Sequence, residues 1–278
     1  MTTDDEAPTP GAQWRVKYDG VCSRCGIALH AGDVAVYERP TRSIRCVVCP
    51  DVADDRHPGP AVDAGVAGAS ARREYERRSA NRETKIRGRF GRVGGVVLAL
   101  TDEPQSTRAW ATGARGEEKL AKALEGIEGL VALHDRRAPG TRGNIDHIVL
   151  APVGVFVVDA KDYQGKIEIR DRGWFLRPDR RLYVGRRDRS SLATGLGWQV
   201  DVVTAALTAA GVDPLPPVTP VLCFVDGEWP LFSPPDVYAG VRLEGIKSIR
   251  KLLTRAGPLD QPSIVGLARL LAAALPPN

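Results

Sequence analysis

Four polar residues stand where the periodicity of the chain otherwise asks for core: Glu117, Asp146, Asp159 and Lys161. Asp159 and Lys161 end the run Gly154-Val155-Phe156-Val157-Val158-Asp159-Ala160-Lys161, which is apolar on both faces, as in a strand covered on each side. Strand side chains alternate, so the D-x-K spacing puts Asp159 and Lys161 on one face. Asn144–Leu150 reads as a second such strand, with Ala151-Pro152-Val153-Gly154 as the turn between them. A turn of two or four residues sets Asp146 directly opposite Asp159, roughly 5 Å away at Cβ. A three-residue turn with a glycine bulge would separate them onto opposite faces. Pro152 cannot take the positive φ of a type I′ turn, so the four-residue form is the expected one.

Two facing carboxylates beside an ammonium can do one of two things. Like charges opposite one another destabilise a sheet, and a divalent cation relieves them; oxygen ligands suit Mg²⁺ or Mn²⁺ rather than Zn²⁺. Alternatively Lys161 neutralises Asp159 in a buried salt-bridge network. The third acid must come from the preceding helix. Gly113 and Gly116 punctuate its expected start, and Leu120, Leu124 and Ile127 form one apolar stripe that includes Glu117. Glu118 falls off that stripe and makes an ordinary exposed pair with Lys122. A buried carboxylate is costly unless paired or metal-bound, so Glu117 needs a partner.

The segments Gly113-x-x-Gly116-Glu117, Asn144-Ile145-Asp146-His147 and Gly154 to Lys161 together resemble the NERD (nuclease-related) domain, a relative of the PD-(D/E)xK nucleases. The resemblance runs from about Thr112 to at least Gly165 and on toward the strand near Val221. It implies an α/β fold with a restriction-endonuclease-like αβββαβ core, a mixed sheet flanked by helices. It also implies a metal-dependent phosphodiesterase site. Asp146 matches the first acid of the motif, Asp159 and Lys161 match the (D/E)xK pair, and Glu117 matches the acid of the first core helix. In that pattern Asp146, Asp159 and the Ala160 carbonyl hold Mg²⁺ or Mn²⁺, Lys161 activates water, and Gln199, on the inward stripe of the Ser190–Ala210 helix with Leu196 and Val203, sits near the metal. A satisfied core amide is the other reading of Gln199.

Upstream, Cys22-x-x-Cys25 and Cys46-x-x-Cys49 have the spacing of a four-cysteine zinc ribbon; disulfides are the alternative, disfavoured in a reducing compartment. Such a site is closed, so the zinc is structural. Cys223, in the run Pro220–Val225, is expected in the core. The organisation expected is a disordered tail over 1–13, the ribbon over 14–50, a Pro/Gly/Ala-rich linker over 51–70, a basic helix and connector over 71–111, and the nuclease-like domain over 112–278.

Charge is unevenly spread. Residues 71–92 carry nine Lys/Arg against three acids in a chain of net charge +5, so the rest is nearly balanced. Arg72, Arg73, Arg77, Arg78, Arg82 and Lys85 from this run, with Arg136, Arg137 and Arg142 near the strands, are candidates for phosphate contact, DNA ahead of RNA. A solvated connecting helix is the plain alternative. A second basic stretch, 166–189, interleaves Trp174, Phe175 and Tyr183 with nine Lys/Arg and suggests a hairpin extension at the sheet edge. The acidic start MTTDDEAPTPG is unlike a signal peptide, and no apolar run approaches the ~20 residues of a bilayer span, which points to a cytoplasmic protein without a membrane partner. Oligomeric state is open. Two rivals to a nuclease remain: a catalytically silent nucleic-acid-binding module on the same fold, and an adaptor that recruits a protein.

Overall fold

The computed structural model describes residues 13–23, 28–38, 43–47, 62–141, 143–174, 177–232, 234 and 236–278. The chain divides into two units, Met1–Ala61 and Val62–Asn278. In the first, short strands β1 (Gln13–Arg15), β2 (Gly20–Val21), β3 (Ala28–Leu29), β4 (Val34–Glu38) and β5 (Ser43–Cys46) form an antiparallel β1-β4-β5 sheet and a β2-β3 pair. Its small core gathers Val16, Leu29 and Ala35 around Cys22 and Cys46. Residues 1–12 of the expected tail and the first part of the expected linker lie outside the described residues, while Gln13 already belongs to β1.

The second unit opens with α1 (Ala69–Phe90), a one-turn 3₁₀ segment Gly91–Val93, α2 (Gly94–Leu100) and α3 (Gln105–Leu124). Then come β6 (Val131–Arg137), β7 (Asn144–Ala151), β8 (Gly154–Lys161), β9 (Gly165–Asp171), β10 (Arg180–Val184), β11 (Arg187–Asp188), α4 (Ser191–Thr194), α5 (Gly197–Ala209) and β12 (Val218–Phe224). The chain closes with β13 (Gly227–Glu228), β14 (Val237–Tyr238), β15 (Val241–Glu244), α6 (Ile246–Leu253) and α7 (Gln261–Ala274). Six strands form a mixed sheet in the order β14-β15-β12-β8-β7-β6, antiparallel from β6 to β8 and parallel from β8 through β12 to β15. The second basic stretch folds as β9, β10 and β11, a separate small sheet completed by β13. The helix-strand-strand-strand-helix-strand order expected of the core is present as α3-β6-β7-β8-α5-β12, with the β9–β11 excursion inserted before α4. Among the described residues no helix is long and apolar enough to cross a membrane.

Alternation along β8 decides the packing. Phe156, Val158 and Ala160 face a core shared with Leu120 and Leu124 of α3 and Ile249 and Leu253 of α6. Val155 and Val157 face the opposite core, built with Val203 and Leu207 of α5 and Ile264 and Leu271 of α7. Cys223 is fully buried in the first of these, as expected.

Three local expectations are corrected. The β7–β8 turn has two residues, Pro152 and Val153, because Ala151 pairs with Gly154. The positive φ that Pro152 cannot adopt is taken two residues later, by Gly154 at 137°. Gly113 and Gly116 do not start a helix but lie inside α3, which begins at Gln105. Gly116 is where α3 crosses the end of β8, and a Cβ there would stand 3.1 Å from the Asp162 amide nitrogen. Ser190–Ala210 is not one helix: it breaks at Gly195 into α4 and α5.

The last stretch of the expected linker is structured. Val62 packs on the core, the His134 amide donates to the Ala64 carbonyl at 2.6 Å, and Gly65 takes φ 69° against β6. A Cβ on Gly65 would overlap the His134 carbonyl. Gly65→Ala should therefore destabilise this unit by about 2 kcal/mol, through both the left-handed backbone and the clash. Gly113→Ala, mid-helix with nothing within 4 Å of the new Cβ, should stabilise by about 0.5–1 kcal/mol. Urea midpoints of the two variants check the pair; equal shifts would refute the distinction.

Candidate active site

The register of β7 against β8 runs from Ala151–Gly154 to His147–Val158, and Asp146 and Asp159 follow one step beyond its end, close enough for the charge of one to act on the other. Burial first, then the charges of Asp159 and Glu117, push Asp146 well above the usual carboxylate range. Lys161 Nζ lies 2.5 Å from Asp159 Oδ1. Burial works against the Lys161 charge, but the attraction of Asp159 and Asp146 outweighs it and holds the ammonium above its ordinary value. Lys161 is thus a permanent cation.

Glu117 reaches the site from α3. It is buried, and its Oε2 accepts the Gly68 N–H at 3.0 Å. Burial and the charge of Asp135 raise its pKa to about 7. Asp135 is a fourth acid, which the sequence reading missed. It sits on β6 between the His134–His147 and Arg136–Ile145 pairs, one step from Asp146, with φ 48°. It is 1% exposed; its Oδ2 accepts the Ser70 N–H at 2.7 Å and its Oδ1 accepts from Asn144 Nδ2 at 2.8 Å. The same amide nitrogen approaches Asp146 Oδ1 at 3.5 Å, so Asn144 ties the two aspartates. Carrying the strand register across the Pro139-Gly140 loop would have flagged Asp135. Beside the acids, His134 and His147 meet through their Nδ1 atoms at 2.8 Å. Burial lowers both, helped by Arg136 at His134 and by His134 and Lys161 at His147, so the pair adds no charge.

The N-terminus of α1 lacks a side-chain cap of its own. Two amides at that end, those of Gly68 and Ser70, are satisfied by Glu117 and Asp135, and the positive end of the helix dipole faces the acids. Gly68 adopts φ 73°, and a Cβ would stand 2.9 Å from the Ala114 carbonyl oxygen, so only glycine fits this approach.

Glu117, Asp146, Ala160 and Lys161 line one cleft of about 890 Å³, together with Ser70 and Asn144. Gln199 does not line it. It is buried on α5, and its Oε1 has no hydrogen-bond partner among the described residues. Among the described residues no group of three or more His, Cys, Asp or Glu side chains is arranged to hold a metal ion. Asp159 is bound by Lys161 and Glu117 turns to Gly68. The donor chemistry nonetheless fits a hard cation, because several buried carboxylates face one ammonium.

The basic candidates divide. Arg77 and Arg78 pair with Glu74, Arg72 with Glu118, and Arg73 binds the Asn278 carbonyl. Arg82 donates to the Thr101 and Asp102 carbonyls, and Arg78 also lies over the Trp110 ring at 5.6 Å. Lys85 and Arg137 are exposed. Arg136 is fully buried, which corrects its assignment to phosphate contact: the positive φ of Asp135 interrupts the alternation of β6 and turns Arg136 inward. Arg142 lies outside the described residues, as do Cys25 and Cys49. Cys22 and Cys46 are buried, and the Cys46 N–H donates to Cys22 Sγ at 3.2 Å.

The Glu117 carboxyl keeps its proton in the fold up to about pH 7, whereas an ordinary glutamate releases it near 4.5. Folding therefore loses stability as pH rises through that window, on the order of 2–3 kcal/mol at most. Glu117→Gln keeps an acceptor for Gly68 and removes the charge. In metal-free buffer its melting temperature should exceed wild type by several degrees at pH 8 and by much less at pH 5. An equal difference at both values would refute the titration.

Residues 112–225, from the middle of α3 to the residue after β12, match the model of the nuclease-related domain, NERD. No curated protein and no solved structure matches the chain. The matched span contains Glu117, Asp135, Asp146, Asp159, Lys161 and Gln199, so the acid cluster lies within a nuclease-related stretch of the chain.

Proposed function

We propose that the second unit is a metal-dependent nuclease that hydrolyses phosphodiester bonds in DNA, or alternatively RNA. The observation that carries this reading is a cleft lined by Glu117, Asp146, the Ala160 backbone and Lys161, with Asp159 bound to Lys161 at 2.5 Å. Asp146, Asp159 and the Ala160 carbonyl would hold Mg²⁺ or Mn²⁺. When bound, such a cation neutralises charge on the phosphoryl group and acidifies the attacking water.

The chain's own residues do the rest. Lys161 keeps its proton, so it orients water and offsets developing negative charge rather than acting as a base. Glu117, near pH 7, can hold or release a proton on the oxygen that Gly68 does not engage. Asn144 and Asp135 fix the carboxylate of Asp146. Gln199, with an unsatisfied amide oxygen on the face of the sheet that carries Val155 and Val157, would orient this shell.

Linear, circular and single-stranded DNA, and RNA, incubated with Mg²⁺ or Mn²⁺, test the reading. Wild type should cut, and Asp159→Ala and Lys161→Ala should each lose about 10²–10³-fold in rate. Binding without cutting on every substrate would transfer the assignment to a silent nucleic-acid-binding module, and neither binding nor cutting would favour the adaptor.

In the first unit, Cys22, Cys25, Cys46 and Cys49 would hold one structural Zn²⁺; the support is the burial of Cys22 and Cys46 and the amide-to-sulfur bond between them. Protein purified without chelator should carry about one zinc per chain, and Cys46→Ala should lose it. Zinc-free wild type would overturn the ribbon.

A further inference from the structure

We infer that the arginines at the β10–β11 turn, Arg186, Arg187 and Arg189, are the grip for the nucleic-acid backbone beside the acid cluster. The inference rests on the nucleic-acid reading above and names the surface that reads the polyanion. It replaces the basic helix α1 as the main contact.

The cleft containing Glu117, Asp146 and Lys161 adjoins a second hollow of about 720 Å³, and Thr112, Asp162, Tyr163, Arg187 and Arg189 line both. The two make one trough that leads away from the acids. One wall is α3, with Arg115 and Lys119; the other is the β10–β11 turn, with Arg186.

The walls differ in how their charge is used. On α3, Lys119 is held by Asp226 at 2.5 Å and Asp162 at 3.1 Å, and Arg115 approaches Asp162 at 3.6 Å. On the turn, Arg186 and Arg187 are exposed and have no acidic partner among the described residues. Their neighbour Arg181 takes the nearby carboxylates, at 2.8 Å from Asp179 and 3.2 Å from Asp188. Arg189 lies over the Tyr163 ring at 4.4 Å, and its buried Nε has no hydrogen-bond partner. Most arginines of α1, by contrast, are already matched by carboxylates or carbonyls. An arginine fork without a carboxylate is the group that a phosphate oxygen completes.

The turn is also held in place. Gly185 turns with φ 58°, its N–H donates to the Lys166 carbonyl at 2.8 Å, and Gly165 faces it so closely that a Cβ would stand 3.1 Å from the Gly185 Cα. The Arg189 N–H donates to the Leu182 carbonyl at 2.7 Å, and Asp188 Oδ1 accepts the Ser190 N–H at 2.9 Å. With the backbone already fixed, binding has only the arginine side chains left to order.

The test is binding without turnover. Fluorescence anisotropy of a labelled duplex and its single strand, in EDTA, is read across a salt series. Wild type is compared with Arg186→Ala/Arg187→Ala and with the charge-matched α1 control Arg77→Ala/Arg87→Ala, all checked by thermal melting. The turn variant should weaken binding about tenfold or more and lower the salt slope by about 1–2, with the α1 control within about twofold of wild type. Equal losses in both variants, or no loss in the turn variant, would overturn the grip. The cleavage assay separates the two readings: binding through the turn without cutting leaves the grip standing and removes the nuclease, whereas cutting unaffected by the turn variant does the reverse.

Discussion

The structure depends on the burial of more negative charge than the one nearby lysine can match. Glu117, Asp135 and Asp159 are almost withdrawn from water, Asp146 lies within reach of the charge of Asp159, and Lys161 is the single ammonium among them. A low-polarity site does not tolerate this without compensation. The chain compensates in three ways: Asp146 is pushed toward its neutral form, Glu117 keeps a proton up to about pH 7, and the amides at the start of α1 bond Glu117 and Asp135. The left-handed glycines at 65 and 68, the close seat of Gly116 on Asp162 and the path of residues 62–68 along β6 are what let the backbone come near enough to supply that compensation.

The same reasoning explains the unequal use of positive charge. The α1 helix has the densest cluster of arginines in the sequence, yet it spends most of them on its own glutamates, on Glu118 and on the carbonyls of Thr101, Asp102 and Asn278. What α1 brings to the acids is its N-terminus, through the Gly68 and Ser70 amides. Local charge density is therefore a poor guide to electrostatic availability; what counts is the charge left after carboxylates within reach are subtracted.

How much of this was legible follows from the range of the contacts. The approach of Asp146 to Asp159 could be read because a Pro-Val turn of even length preserves the face of every residue on both strands, whether two residues or four close it. The D-x-K spacing and the apolar stripe of α3 are equally local. Asp135 and Arg136 were not legible in the same way: a single positive φ in the middle of β6 interrupts the alternation that would orient them, and nothing in Val-Ala-Leu-His-Asp-Arg-Arg announces it. The bonds from Gly68 to Glu117 and from Ser70 to Asp135 span 49 and 65 residues, so no window of sequence contains both ends.

That separation bears on how the site works. The α1 amides and the divalent cation proposed for this site would compensate the same carboxylates, so positive charge added among Glu117, Asp146 and Asp159 would weaken the hold of Glu117 on its proton. The start of α1 is thereby coupled to the charge state of the cleft it borders, since Ser70 and Ala71 line that cleft beside Glu117 and Lys161. A phosphate brought in along the trough adds negative charge at the point where the acids are already in excess. It can settle there only if cations arrive with it, and the unpaired arginines of the β10–β11 turn are the ones the fold has left uncommitted at that position.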